Sequence, residues 1–403
     1  MTAQARVRLR PAAPDYVLMA IAGILVVVGV LAVFSSSFAE GYRLYGDVNY
    51  FFLRQAMWAF VGAVLMVTLM HTDYHLLRKA SPFLMLLAVG SLIAVLTPGI
   101  GLSANGSTRW IQLGPLPAIQ PSEFVKLAMV IYIAAWLTAK GSEIKEFKVG
   151  LLPFVLLVGA VGSLVMLQPD MGTVIIIVAT TVTLFFIAGA ELRHVAGIVG
   201  AGLVVGAILI AAGDYRAERF SAFLGAEDDP LGSGFQILQL SIALGSGGLT
   251  GLGWGVSRQK FFYIPGAHTD GIFAIIGEEL GLLGLLVVIA LFGFLIYRGF
   301  RTIIKAPDQF GMLLATGITV WIAYQALINV GGITRSLPLT GIPLPFISYG
   351  GSALAATMAA IGVLLNISRH GNVRKQPDFR SPHGVSSRRP ITEERASRRG
   401  KDG

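Results

Sequence analysis

Ten apolar runs, most of them long enough to cross a bilayer as a helix, constrain this chain more than any other feature. They lie at residues 15–35, 56–70, 81–98, 121–139, 150–168, 171–190, 194–212, 272–297, 310–331 and 349–367. In lipid no water is present to satisfy backbone N–H and C=O groups, so such runs must form helices or a closed barrel. Their length and lack of two-residue alternation select helices. The expected fold is therefore all-α: a polytopic membrane protein of about ten transmembrane helices. Composition agrees, since 54% of residues are hydrophobic and 13% charged, against about 25% charged in a soluble domain. The 49 glycines suit closely packed membrane helices. The first run lacks an A-x-A-like end and is followed by further spans, so it reads as a span and not as a cleaved signal peptide.

The positions of Lys and Arg set the expected orientation. With the N-terminus inside, the inner side holds Arg6, Arg8, Arg10, Arg78, Lys79, Lys140, Lys145, Lys148, Arg193, Arg298, Arg301, Lys305 and the basic tail. That is roughly 22 basic residues, against about eight outside. An even number of spans returns the C-terminus to the same side. Three parts follow: a cytoplasmic arm at 1–13, a membrane domain at 14–368, and a basic tail at 369–403. The tail is rich in Arg, Ser, Pro and Glu without apolar periodicity, and reads as disordered. Its cluster of Arg388, Arg389, Arg395, Arg398 and Arg399 could serve as a topology anchor or bind anionic lipid. Because much of the net charge of +9 lies in this tail and in short loops, it reports membrane topology and not a nucleic-acid partner.

Residues 213–271 form a long extracytoplasmic loop between the seventh and eighth spans. It is too apolar to be a plain linker. Phe235–Leu244 reads as a short interfacial helix, followed by glycine-rich turns from Gly245 to Gly255. The loop is expected to fold back onto the membrane domain.

Several chemistries are excluded. There are no cysteines, so there is no thiol catalysis and no cysteine metal site. The six histidines form no HExxH pair, and neither a nucleotide-binding motif nor a Gly-x-Ser-x-Gly elbow occurs. Charged residues at membrane depth remain as candidates. Glu123 and Lys126 share one helix face at i and i+3, either as a self-neutralising pair or as part of a site. Glu278 and Glu279 point about 100° apart, and packing is their expected role. Polar segments converge at the outer side by topology: Asn105–Trp110, Gln168-Pro-Asp170, Tyr215-Arg216 with Arg219, Ser257–Lys260, His268-Thr269-Asp270 and Ile347-Ser348-Tyr349-Gly350-Gly351-Ser352. Cations and glycine-exposed amides suit an anionic lipid head such as a pyrophosphate, and a carboxylate beside them suits a general base. Position alone allows Asp270 to be either that base or the N-cap of the eighth span. His268 could carry a proton or orient a neighbour.

The segments NGSTRWIQLGPLPAIQPSEFVKLA (105–128), QPDMGT (168–173), DPLGSGFQ (229–236), AHTDGIFAIIGEELG (267–281) and LPLTGIPLPFISYGGSA (337–353) occur in an order that resembles the SEDS family. This family of shape, elongation, division and sporulation proteins includes FtsW, RodA and SpoVE. The resemblance covers about residues 15–368, and SRQKFFYIPGAHTD (257–270) and GSGFQILQ look more like the FtsW branch than the RodA branch. It implies a peptidoglycan glycosyltransferase that polymerises lipid II at the outer face of the bacterial cytoplasmic membrane, at the division septum. Asp270 matches the essential aspartate of the family's His-Thr-Asp motif. Around it, Arg109, Glu123, Lys126, Arg216, Arg219, Lys260, His268, Thr269, Ser348, Tyr349 and Gly350 are the expected substrate-binding residues.

The implied partners are lipid II, undecaprenyl-pyrophosphate-linked glycan, membrane lipid, a class B penicillin-binding transpeptidase (FtsI-like) and other divisome proteins. No cofactor is required, and a divalent cation (Mg or Mn) is left open. The family usually has an acidic residue where Gly266 stands, an aromatic where Gly271 stands and Gly where Arg335 stands. The first two departures are expected to loosen the loop around Asp270, and the third to put a bulky cation on the outer face. Two other classes fit a ten-span chain: a lipid II flippase, which needs a polar path across the bilayer, and a non-catalytic division scaffold, which does not need Asp270.

Overall fold

The computed structural model describes residues 13–104, 107–112, 114 and 117–371. The arm before residue 13 and the tail from 372 onward lie outside the described residues. Twelve α-helices make up most of the described chain: α1 (Tyr16–Tyr45), α2 (Tyr50–His71), α3 (Tyr74–Leu96), α4 (Pro121–Lys140), α5 (Leu152–Met166), α6 (Met171–Ile187), α7 (Leu192–Ala211), α8 (Asp214–Leu224), α9 (Phe235–Ser246), α10 (Ile272–Lys305), α11 (Gln309–Ile333) and α12 (Gly351–Gly371). Among the described residues, nine helices are long and apolar enough to cross a membrane. The shorter α6 occupies the sixth of the ten expected spans.

A contact between the start of α1 and the end of α12 implies that α6 crosses too. The Asp15 amide at the start of α1 donates to Ser368 Oγ near the end of α12 (3.1 Å). Entry and exit therefore share one face, which requires an even number of crossings. The side-chain caps follow the sequence: Asp15, Asp73, Asp170 and Asp308 each accept a backbone N–H in the first turn of α1, α3, α6 and α11. Each satisfies a donor that the helix leaves open.

The bundle has a centre and a rim. In α12 94% of the spanning window is buried, whereas in α7 none of it is. An apolar helix that buries nothing faces lipid. Four boundaries differ from the sequence expectation, one of them the start of α3, at Tyr74 and not 81. Polar Arg54 and Gln55 mask the start of α2, which begins at Tyr50. The segment Ser35–Tyr45 continues α1, with Ser35, Ser36 and Ser37 buried. Helix α10 runs on about two turns past 297 to Lys305, where cations suit a helix C-terminus.

Two elements were not expected. A small antiparallel hairpin, β1 (Gly101–Ala104) and β2 (Ser107–Ile111), pairs Gly101 with Ile111 and Leu102 with Trp110. Helix α8 opens the long loop. As expected, that loop folds onto the bundle. Helix α9 buries Ile237, Leu240 and Ala243, a single face at three-residue spacing. Beyond it the chain meets α10 where Gly281 (φ +66°, ψ −168°) interrupts the helical conformation. The freed backbone groups are satisfied by the loop. Leu252 and Gly253 N–H donate to the Glu278 and Glu279 carbonyls (2.9 and 3.0 Å), while Leu282 and Leu283 N–H donate to Gly248 and Leu249 (2.9 and 3.1 Å). Irregular backbone at this depth persists only where protein supplies such partners.

Candidate active site

At the face opposite the Asp15–Ser368 contact, the turn before α10 carries His268, Thr269 and Asp270. Gly266 (φ +70°) lets the chain reverse here. Its carbonyl accepts the Thr269 and Gly271 N–H groups (2.9 and 3.1 Å). The Thr269 hydroxyl lies 3.0 Å from the same carbonyl and 2.9 Å from Asp270 Oδ1. A Cβ at Gly266 would sit 2.5 Å from Asp270 Oδ1. The departures at Gly266 and Gly271 therefore accompany a tightly bonded turn, not the loosened loop expected from sequence. Helix α10 is N-capped by Gly271 without a side-chain bond, so Asp270 does not cap it.

The segment between α11 and α12 packs over this turn. Two amides on α11, one helical turn apart, hold it. Asn329 Nδ2 donates to the Asp270 carbonyl (3.0 Å) and the Ile342 carbonyl (2.8 Å). Gln325 Nε2 donates to the Pro343 carbonyl (3.0 Å). From α8, Arg219 Nη1 donates to the Leu339 carbonyl (3.1 Å). A Cβ built on Gly341 would lie 3.4 Å from Arg219 Nη1 and 3.7 Å from Asp270 Oδ2. Guanidinium and carboxylate thus approach one glycine turn at the same point. Burial pushes the Asp270 carboxyl above its ordinary range, while the Thr269 hydroxyl, Arg219 and His268 pull it down.

His268 bridges this turn to α1 and α2. Its Nδ1 lies 3.2 Å from Glu40 Oε2, its ring packs on Phe51 (4.5 Å) and Tyr349 (5.4 Å), and its carbonyl accepts the Tyr349 N–H (2.8 Å). Gln55 of α2 donates to the Ser348 carbonyl (3.2 Å) and accepts the Gly350 N–H (3.4 Å). Ser348 Oγ accepts the Leu344 N–H (2.8 Å). Ser348, Tyr349 and Gly350 therefore shape the turn, and their polar groups bond to protein.

The remaining candidates divide. On β2, Arg109 donates to the Gln168 carbonyl (3.0 Å) and the Pro169 carbonyl, and Nη1 lies 3.9 Å from Asp170. Asp170 in turn receives the Thr173 N–H (3.1 Å) and hydroxyl (2.9 Å). Glu123 and Lys126 form a buried pair (2.8 Å). Lys126 also donates to Gln325 (2.9 Å) and lies 5.2 Å from the Trp321 ring centre, so it reaches the 337–350 segment through one amide. Lys260 is displaced from its expected role. It is 3% exposed and pairs with Glu279 (2.7 Å). Arg216 lies on α8, but its side chain is outside what the structure describes. Arg335 takes a left-handed backbone (φ +56°), which accounts for the usual glycine there, and pairs with Glu227 (2.8 Å). Among the described residues no three His, Asp or Glu side chains converge where they could hold a metal ion.

Sequence reasoning missed Glu40, Gln55, Gln325 and Asn329. The signal that could have found Gln325 and Asn329 is two amides at i and i+4 on an apolar helix, which share one face. Glu40 and Gln55 lay just outside the apolar runs, where polar residues are ordinary.

Comparison with known proteins gives the family and the fold. The model of the FtsW, RodA and SpoVE family, described as "Cell cycle protein", matches residues 15–373. The Stage V sporulation protein E of Bacillus subtilis (strain 168) is 43% identical over 359 residues, covering 89% of this chain and 97% of that protein. The probable peptidoglycan glycosyltransferase FtsW of Geobacter sp. (strain M18) is 38% identical over 354 residues, with coverage of 88% and 96%. Among solved structures, one determined for the structural coordination of polymerization and crosslinking by a peptidoglycan synthase complex superposes with a TM-score of 0.74 at 26% identity, covering 89% of this chain and 99% of that one. The rod shape determining protein RodA of Thermus thermophilus gives 0.66 at 25% identity, with coverage of 89% and 98%.

Proposed function

The chain belongs to the FtsW, RodA and SpoVE family of cell cycle proteins, and from that premise we propose that it is a peptidoglycan glycosyltransferase. It polymerises lipid II at the outer face of the cytoplasmic membrane. The observation that carries the reading is the Asp270 carboxylate and the Arg219 guanidinium, both beside the Cβ position of Gly341. In the reaction, the 4-hydroxyl of the acceptor GlcNAc loses its proton to Asp270 and attacks the anomeric carbon of the donor MurNAc. The bond from that carbon to oxygen breaks, and undecaprenyl pyrophosphate leaves with the electron pair. A positioned carboxylate contributes about 10²–10⁴-fold to such a step, and a fixed cation stabilises the charge that develops on the leaving group. Arg219 also favours the ionised form of Asp270, which the base must have. No nucleotide is needed, because the substrate is already activated.

Of the cations expected to bind the head group, Arg219 is the one described beside Asp270. Replacing it with Ala should weaken binding by about 1.5–3 kcal/mol, the worth of one charge-assisted hydrogen bond. The check is the KM for lipid II of purified Arg219→Ala. A folded variant with wild-type KM removes Arg219 from the site. Arg109 and Lys126 support the same site from the 168–173 turn and the 337–350 segment, and Arg216 remains a proposed contact.

The membrane domain spans 14–368, and both termini face the cytoplasm. This orientation is supported by the basic-residue asymmetry, and its even span count by the contact of Asp15, at the start of α1, with Ser368, near the end of α12. In this cysteine-free chain a Cys at Ser233 should react with an impermeant thiol reagent in intact cells, and one at Ser381 should not. Labelling at 381 overturns the orientation. Septal synthesis with a class B penicillin-binding transpeptidase is the cellular role we favour, because relatives named FtsW and a polymerisation and crosslinking complex are among the similar proteins. Polymerisation of labelled lipid II by the purified chain, alone and with that transpeptidase, tests the whole reading.

A further inference from the structure

On the face where α1 begins and α12 ends, a cavity of about 220 Å³ lies between the start of α1 and the end of α10. Its charged lining is Asp15, Arg298, Arg301 and Lys305, one carboxylate against three cations. Arg298 Nε bonds Asp15 Oδ2 at 2.8 Å, which fixes that guanidinium in the wall. Arg301 is exposed and has no ion-pair partner among the described residues. Cations at the end of a helix are expected from its dipole alone. The dipole does not explain why they share a cavity with another helix, nor why the rim is apolar. Tyr16 (60% exposed) and Val17 (42%) line the same space, and Phe300 and Ile304 are exposed on the adjoining face of α10.

We propose that this cavity binds the phosphate of an anionic phospholipid, with the acyl chains lying along Val17, Phe300 and Ile304. An arginine fork matches phosphate oxygens in pairs, and basic pockets between membrane helices suit anionic head groups. A zwitterionic head group brings its own cation and gains less from the same lining. A free phosphate could use the cations but would leave the apolar rim bare.

The test is native mass spectrometry of the full-length protein in detergent, titrated with phosphatidylglycerol, phosphatidylcholine or inorganic phosphate. Wild type should bind phosphatidylglycerol about tenfold more tightly than phosphatidylcholine. Arg301→Gln with Lys305→Gln should lose about tenfold for phosphatidylglycerol and nothing for phosphatidylcholine. The basic tail is present in both chains, so the difference between them reports the cavity. Both side chains are at the surface, and the melting temperature in phosphatidylcholine checks folding. Arg301→Gln alone, which breaks no described ion pair, repeats the test if the double variant melts early. A variant that binds phosphatidylglycerol as wild type does overturns the proposal. So does inorganic phosphate that displaces the lipid at equal concentration, since that result assigns a free-anion site.

Discussion

Asp270→Asn should lower glycan-chain formation by roughly 10²–10⁴ while leaving the melting temperature near that of wild type. The carboxylate oxygen that accepts the Thr269 hydroxyl (2.9 Å) has an amide oxygen as its replacement. The anchor from Asn329 is to the Asp270 backbone carbonyl, which the substitution leaves in place. Because α10 takes no side-chain cap, no helix end is lost either. What disappears is an acceptor for the proton of the attacking hydroxyl, since an amide does not take one up.

The pH profile gives a second reading of the same group. A base acts deprotonated, so the rate should fall as pH drops through the Asp270 pKa. Burial raises that carboxyl, so the fall should begin above the ordinary aspartate value of about 3.9. In Asp270→Asn the residual rate should lose this acid limb. The decisive measurement is polymer length distribution and thermal midpoint on one preparation. A folded, fully active Asn variant would end the assignment and put the flippase reading first.

How far the sequence reached is decided by where each residue's partners sit. Asp270, His268 and Thr269 were legible because they are consecutive and re-enter the membrane together. The ten spans were legible because, at this length and without alternation, lipid leaves the helix as the backbone solution. Less visible was what Asp270 rests against. Asn329 and Gly341 approach it from 59 and 71 residues further on, and Arg219 from the loop before it. Loop residues escape periodicity altogether. The hairpin that carries Arg109 is only four and five residues per strand, too short to show alternation. Glu40 was hidden inside the extension of α1, where polar Ser35–Ser37 ended the apolar run although the helix continues. Lys260 shows the opposite failure. It stood in a polar loop segment and looked available, yet its charge points into the protein.

That inward charge sets the other large effect. Lys260→Met should destabilise the protein by about 3–5 kcal/mol, the cost of removing one partner from a buried ion pair. Lys260 and Glu279 side chains are 0% and 2% exposed and lie 2.7 Å apart. Lys260 Nζ also donates to the Gly255 carbonyl (2.7 Å) and approaches Ser35 Oγ (3.3 Å), with the Phe38 ring centre 5.0 Å away. Without it, Glu279 keeps the Ser35 hydroxyl (2.7 Å) and an uncompensated charge at the point where the glycine-rich loop meets α10. Local opening there should follow, because the Gly248–Gly253 backbone bonds to the same turn of α10.

The double change Lys260→Met with Glu279→Leu should recover most of the loss, since it removes both charges and fills similar volume. Ser35 can then bond back to its own helix, as Ser36 does to the Ala32 carbonyl (2.8 Å). A substrate-binding lysine behaves in the other way: its single variant melts normally, shows a raised KM, and gains nothing from the second change. Melting temperature and KM across the two single variants and the double variant therefore separate the roles, and a normally melting Lys260→Met with raised KM would return Lys260 to the substrate site.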